Sequence, residues 1–270
     1  ASDVYKRQVS VYNERFANSL KRYRNGQEGR YTYVNWGYNT IGVFQNQDQI
    51  NNWPVNIDGK GNTTLLPGDF IVEDVNGDGR IDSQDERPIA YQDNSSVAPQ
   101  PIINGGLTLG FDWKGIDLSA DFSLAGGYAF TPNWETRWPF QNGRTLVRET
   151  QFKNRWRHED PFDPNSAWIP GDVPALRFTA REYVSWNRNL DYWTTNVVAF
   201  RLRSLEIGYT LPRKWLAAAR IQKVRFYVNT YNLFSIDNVK KYGVDPEIAD
   251  RNGMQYPQNR VVNIGANLTF

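Results

Sequence analysis

Asp74, Asn76 and Asp78 stand at the first, third and fifth positions of a short acidic run, Gly79 at the sixth, Asp82 at the ninth and Asp85 at the twelfth. Calcium loops use this spacing. Alternate side-chain oxygens reach one centre, a glycine permits the sharp turn, and the seventh residue, here Arg80, offers its backbone carbonyl. Asp82 would bind directly or through water. Position twelve departs from the pattern, because the usual bidentate Glu is replaced by the shorter Asp85, with Glu86 next. No helix pair flanks the run. Without an ion, several carboxylates would crowd one turn beside Arg80 and Arg87, and a solvated Asn-Gly and Asp-Gly turn is the competing reading. Any ion here is expected to be structural calcium, since nothing around it suggests a nucleophile.

Other chemistry is sparse. His158 is the single histidine and lies in a charged stretch, Arg155-Trp156-Arg157-His158-Glu159-Asp160, where surface placement is expected. Cysteine is absent, which excludes a disulfide scaffold and a thiolate metal site. There is no P-loop and no G-x-S-x-G elbow. The pair Glu159 and Asp160 carries no specific glycosidase signal. No enzyme activity and no required cofactor are expected. A net charge of +2 marks no nucleic-acid partner. Trp134, Trp138, Trp156, Trp168, Trp186 and Trp193 lie in connections; sugar stacking or contact with a lid protein competes with loop packing, and packing is favoured for each.

The elements around these residues read as strands. Mean hydropathy is −0.65, and no apolar run reaches the ~18 residues of a transmembrane helix. A β-barrel wall needs only alternate apolar residues, so low hydropathy leaves it open. Leu107, Leu109, Phe111 and Trp113 share one face, with Thr108, Gly110 and Asp112 opposite. Lys114-Gly115 makes a tight turn. Ile116, Leu118, Ala120, Phe122 and Leu124 then alternate with Asp117, Ser119, Asp121 and Ser123. The same period of two recurs over Leu205–Leu211, Val224–Asn229 and Val262–Phe270. Tyr31–Gln45 also reads as extended, and Val9–Tyr23 weakly so.

Connections alternate in length. Lys114-Gly115 is tight and Arg213–Lys223 moderate, with Trp215 and an Ala-rich run that suggest a short interfacial helical turn. By contrast, Gln45–Ile103, Ala125–Asn196 and Ser235–Asn259 are long. Unstructured loops of that length argue against a compact water-soluble domain. Short periplasmic turns and long outer loops are the rule in outer-membrane barrels. The aromatic content of 14% suits interfacial girdles, though a soluble aromatic-rich sheet would carry it too.

Both termini are informative. The last residues, Asn263 to Phe270, match an outer-membrane assembly signal in Gly265, Leu268 and the terminal aromatic Phe270. The first, Ala1 to Gln8, read as a translated sequencing adapter and are set aside. The expected organisation is therefore residues 1–8 as artefact and residues 9–270 as a partial barrel, with 46–103 a long outer loop containing the acidic turn.

Several segments resemble the SusC/RagA-type TonB-dependent receptors of Bacteroidetes. Gly42-Val43-Phe44-Gln45 with Gln49-Ile50, then Pro67-Gly68-Asp69-Phe70, then the Asp74–Asp82 block, each match a family segment in family order. So do the Gly106–Phe122 hairpin, Phe200–Pro212, Asn232-Leu233-Phe234, Asp245-Pro246-Glu247 and the final strand. The resemblance implies an all-β fold: the C-terminal portion of a large antiparallel transmembrane barrel of about 22 strands, of which this chain would supply ~7 to 9. It implies the cell outer membrane, lipid contact, glycan or peptide cargo, and a SusD-type lipoprotein partner. It also implies coupling to TonB through a plug domain upstream of this chain. The alternative reading is a secreted, calcium-stabilised β-sandwich that binds carbohydrate. A glycan hydrolase would need a paired-carboxylate cleft, and the sequence points to none.

Overall fold

The computed structural model describes residues 15–26, 34–91, 101–141, 147–217, 221–247, 256 and 258–270. The elements, in chain order, are α1 (Ser19–Asn25), β1 (Val34–Gly37), β2 (Thr40–Val43), α2 (Gln47–Asn51), β3 (Phe70–Val72), β4 (Arg87–Tyr91), β5 (Ile103–Trp113) and β6 (Ile116–Phe130). There follow α3 (Glu149–Lys153), β7 (Arg157–His158), β8 (Trp168–Ile169), α4 (Val184–Asn187), β9 (Thr195–Thr210), α5 (Arg213–Leu216), β10 (Lys223–Asp237) and β11 (Val261–Thr269).

One antiparallel sheet of five strands dominates, in the order β11-β10-β9-β6-β5. The period-two pattern builds it. Leu107 faces Phe122, Leu109 faces Ala120 and Phe111 faces Leu118, so each strand lays its apolar set on the same side as its neighbour's. Lys114 and Gly115 both have positive φ, 51° and 87°, as a two-residue type I′ hairpin requires. A Cβ on Gly115 would come within 2.7 Å of the Thr210 carbonyl, so the turn excludes other residues. Asn232 has φ 51° where the β9–β10 register slips between Tyr231 and Phe234. The Asn-Leu-Phe segment is thus a bulge, and Asn is among the non-glycine residues that tolerate this backbone.

The strands end unequally. The β5–β6 turn, the β9–β10 connection with α5, and Phe270 share one end of the sheet. Every long connection leaves from the other. As expected, Arg213–Lys223 contains a helical turn, with Trp215 largely exposed.

At the long-loop end the connections fold into a body with its own core. Phe44, Ile50, Ile57, Leu65, Phe70, Val72 and Ile81 pack with Trp186, Leu190 and Trp193 from the segment between β6 and β9. Three two-stranded sheets, β1-β4, β2-β3 and β7-β8, brace it.

Two expectations are corrected. Val9–Tyr23 is not a strand in its described part: Ser19–Asn25 is helical, started by the Asn18 side chain accepting from the Lys21 amide at 2.9 Å. Tyr31–Gln45 is extended as expected over β1 and β2, and these strands belong to the loop body and not to the large sheet. The cause is packing: Gly37 lies so close to the Asn189 carbonyl that a Cβ has no room, and Asn189 accepts from the Tyr38 amide at 2.8 Å. The large sheet therefore has five strands among the described residues, fewer than the ~7 to 9 expected of a third of such a wall. Residues 1–8 lie outside the described residues.

Candidate functional site: a transmembrane face and its loop cap

The apolar face of the large sheet is the main candidate. Leu107, Leu109, Phe111 and Trp113 of β5, Ile207 and Tyr209 of β9, Phe226 and Val228 of β10, and Ile264 and Leu268 of β11 are all exposed. Register makes them contiguous: Leu118, Ile207, Val228 and Ile264 form one row across four strands. Ile264 is 84% and Phe111 58% exposed, values foreign to a core. Monomers in water rarely show so large an apolar surface. A β-sandwich would cover this face with a second sheet ~10 Å away, and no second sheet covers it among the described residues.

The opposite face is polar and internally paired. Arg225 donates to Asp117 from Nε at 3.0 Å and from Nη2, and Nη2 also reaches Glu206 at 2.6 Å. Gly208 clears the space beneath that guanidinium. The Ser204 hydroxyl donates to Asp121 at 2.5 Å, and Thr108 donates to its other oxygen at 2.7 Å. A bulge at Arg203 lets it and Ser204 both reach this face.

Higher on the same face, Arg201 and Arg203 clamp the β10–β11 connection. Arg201 pairs with Asp245 at 2.6 Å and Glu247 at 3.2 Å, while Arg203 holds Glu247 at 2.5 Å. The Tyr128 hydroxyl donates to the Pro246 carbonyl. The sequence segments Phe200–Arg203 and Asp245-Pro246-Glu247 are thus two halves of one contact. Sequence reading singled out each without their pairing; the available signal was an arginine at alternate positions of an otherwise apolar strand.

In the loop body, the Pro67-Gly68-Asp69-Phe70 segment is structural. Gly68 has φ 93° and lies against the Trp156 indole, leaving no room for a Cβ. Asp69, 1% exposed, accepts from Leu66 N at 2.8 Å and pairs with Arg177 at 2.5 Å. Burial pushes its carboxyl above the usual range, against the pull of the Arg177 charge. Burial likewise pushes the Arg137 guanidinium down to about 10. Arg137 packs against the Trp193 ring and donates to the Arg188 carbonyl. Trp156, Trp186 and Trp193 are buried, in keeping with packing; Trp134 is exposed and Trp138 half-buried. His158 stacks on Trp168 at 4.0 Å in the β7–β8 hairpin, with Nδ1 2.9 Å from the Ser166 carbonyl.

The acidic turn is closed by its own side chains. Asp74 accepts from the amides of Gly77 and Gly79, each at 2.8 Å. Asn76 accepts from Asp78 N, and Asp78 from Arg80 N. Asp82 accepts from Gln84 N at 2.7 Å, and its carboxylate also lies 3.5 Å from Arg80. Asp85 is fully buried and accepts from Val75 N at 3.0 Å and Asp82 N at 2.8 Å. Among the described residues no three His, Cys, Asp or Glu side chains converge to hold a metal ion. The residues therefore fit a self-capped turn, and a bound ion would have to draw these oxygens from backbone amides.

Of the assembly-signal residues, Gly265 lies on the polar face opposite Tyr227, and a Cβ there would meet the ring at 2.5 Å. Leu268 faces Val224 on the apolar side, and Phe270 is exposed at the turn end.

No family model matches the chain. It is 26% identical over 256 residues to TonB-dependent receptor P3 of Formosa agariphila, covering 87% of this chain and 22% of that protein. It is 25% identical over 223 residues to TonB-dependent receptor P39 of the same organism, covering 77% and 19%. The chain thus spans about a fifth of the length of these curated relatives. Among solved structures, the RagAB peptide importer in its closed-closed state matches with a TM-score of 0.55 at 22% identity over 90% of this chain and 24% of that one. The open-open state matches with a TM-score of 0.52 at 20% identity, over 89% and 23%. The chain is similar to SusC/RagA-type TonB-dependent receptors over most of its length, and its sheet has the fold of an arc of their barrel wall. The outer-membrane localisation expected from the sequence agrees with these likenesses.

Proposed function

We propose that this chain forms part of the wall and outer loops of a TonB-dependent importer for glycans or peptides. The observation that carries the reading is the exposed, continuous apolar face of the five-stranded sheet, which needs lipid as its solvent. In that setting the polar face lines the lumen, the tight turns face the periplasm, and the loop body stands outside. Its residues seal the bilayer and shape the vestibule, with no reaction to carry. A SusD-type lipoprotein would cap the vestibule, and TonB would act through a plug contributed by other parts of the receptor. The RagAB system, whose barrel this fold resembles, is a peptide importer.

The test is membrane behaviour of a receptor carrying this chain. Extraction only by detergent, with heat-dependent migration on gels, is expected. A protein folded and monodisperse in buffer without detergent overturns the proposal.

A structural calcium ion at Asp74, Asn76, Asp78, Arg80, Asp82 and Asp85 stays a second proposal, supported by spacing. The turn already closes itself, so the ion would stiffen it rather than create it. Millimolar calcium should raise the melting temperature and release heat on titration; the absence of both signals overturns it.

A further inference from the structure

A pocket of about 360 Å³ opens in the loop body, where α3 and other parts of the long segment between β6 and β9 meet the start of the connection after β10. Its size falls within the ~300–1,000 Å³ of ordinary small-molecule sites. Trp193, Tyr192 and Tyr242 give it aromatic walls, and Thr150, Gln151 and Asn154 add polar groups. Arg148 and Lys241 line it, against the single carboxylate of Asp172. Arg137 lies behind the Trp193 wall, its guanidinium carbon 5.3 Å from the ring centroid.

The charges here are unbalanced. Arg137 is 5% exposed, yet it pairs with no carboxylate among the described residues; it donates to a backbone carbonyl, and its Nε has no partner. Arg148 donates to the carbonyls of Tyr242 and Thr136, again with no acid among the described residues. Lys241 is exposed and rests over the Tyr242 ring at 5.0 Å. Buried or half-buried cations are ordinarily matched by anions within the fold. Arg177 has Asp69, Arg201 has Asp245 and Arg225 has Asp117, whereas half-buried Arg188 donates to the Ile81 carbonyl with no ion pair among the described residues. This pocket differs from the Arg188 site in presenting two cations, Arg148 and Lys241, to an open cavity with one lining carboxylate.

We infer that the pocket between Arg148, Lys241 and Trp193 binds the carboxylate of a small cargo fragment, about a dipeptide or an acidic disaccharide in size. The inference rests on the importer reading and names the chemistry its vestibule selects. Lys241 and Arg148 meet the carboxylate, the aromatic walls pack the body of the ligand, and Arg137 supplies a fixed positive field from behind Trp193.

Isothermal titration of a detergent-extracted receptor carrying this chain tests it. The probes are alanyl-phenylalanine, its C-terminal amide, digalacturonate and neutral galactobiose. At least one carboxylate probe should bind about tenfold more tightly than its neutral counterpart, a charge-assisted contact of ordinary strength. The preference should weaken as salt rises and shrink in Lys241→Gln, an exposed substitution that leaves the fold alone. Arg148→Gln should abolish it, and circular dichroism checks that this variant is folded. Peptide and uronate arms identify the source of the carboxylate. Equal affinity for charged and neutral probes, or no binding at millimolar concentration, overturns the inference. A receptor that inserts normally yet shows no carboxylate preference removes this inference alone; failure to insert removes the importer reading.

Discussion

The turn end of the sheet and the loop body use similar residues in opposite ways. In the loop body Phe44, Ile57, Trp186 and Leu190 have no exposed surface. In the sheet Phe111, Trp113, Ile207 and Phe226 lie open. The first pattern is what water enforces on apolar side chains. The second is stable only where the surrounding medium is itself apolar. One chain therefore records two solvents, and the boundary runs along the strands: β6 is buried over Tyr128–Phe130 and open at Ile116 and Leu124. Strands of 15 and 16 residues exceed the ~9–11 needed to span a bilayer, so the surplus at the loop end meets the cap.

The largest effect should come from Trp186→Ala. It removes the largest fully buried side chain of the loop body, and such truncations cost ~3–5 kcal/mol. Limited proteolysis should cut the loop body while heat-dependent gel migration, a property of the wall, stays unchanged. Simultaneous loss of both would show that the two regions are one cooperative unit and break the comparison.

Next in size is Ile207→Arg on the open face. In a bilayer an arginine near the midplane of a barrel wall costs ~2–4 kcal/mol. On a water-facing surface the same change stays within ~0.5 kcal/mol. Refolding yield into lipid vesicles, measured beside Glu206→Gln on the other face, separates the two. An unchanged yield for the arginine variant would mean that water, and not lipid, covers Ile207.

Much of the sheet was legible because strand alternation is local. The residues that build the Leu107–Leu124 hairpin are neighbours in sequence, and the glycine of its turn announces itself. The loop body was not legible, since its core joins Phe44 and Phe70 to Trp186 and Leu190 over more than a hundred residues and follows no period. Length and polarity alone made those stretches look like loops. Tyr31–Gln45 was legible as extended, but not its place, because a contact with Asn189, far away in sequence, assigns it to the cap. The acidic turn was legible in spacing and not in geometry, because carboxylates that bind an ion and carboxylates that bind amides share one sequence pattern. The pocket at Arg148 and Lys241 left no motif, as its lining joins scattered residues between Thr136 and Trp193 to Lys241 and Tyr242.

A smaller effect tests how the last strand seats. Gly265→Ala places a methyl against the Tyr227 ring, 2.5 Å from its nearest atoms, an overpacking worth ~1–3 kcal/mol. Thermal melting in detergent should fall, and the double change Gly265→Ala with Tyr227→Ala should recover part of the loss, a coupling of the kind a double-mutant cycle reads. If the single change alters only the rate of membrane assembly and leaves the melting point intact, Gly265 acts through the assembly machinery and not through packing.

The smallest expected effect lies in the cap, at Asp58. Its carboxylate accepts from Lys60 N at 2.7 Å, Asn62 N at 2.8 Å, and the Thr64 amide and hydroxyl at 2.9 and 2.8 Å. Partial burial raises its pKa, but those donors outweigh it and hold the carboxyl below its ordinary value. A depressed folded pKa gives stability that is complete above the unfolded value of 3.8 and is lost as pH falls through the lower folded value. Asp58→Asn keeps one acceptor oxygen and turns the other into a donor facing Thr64, so it should cost about 1 kcal/mol at neutral pH. The variant should also lack this part of the acid-induced loss below about pH 4. Protease resistance of the cap at pH 7, 5 and 3 reads both effects, and the wall, where Asp58 has no contact, should show neither. A matching change in the gel migration of the wall would tie the two regions together through this turn and blur the boundary between the two solvents.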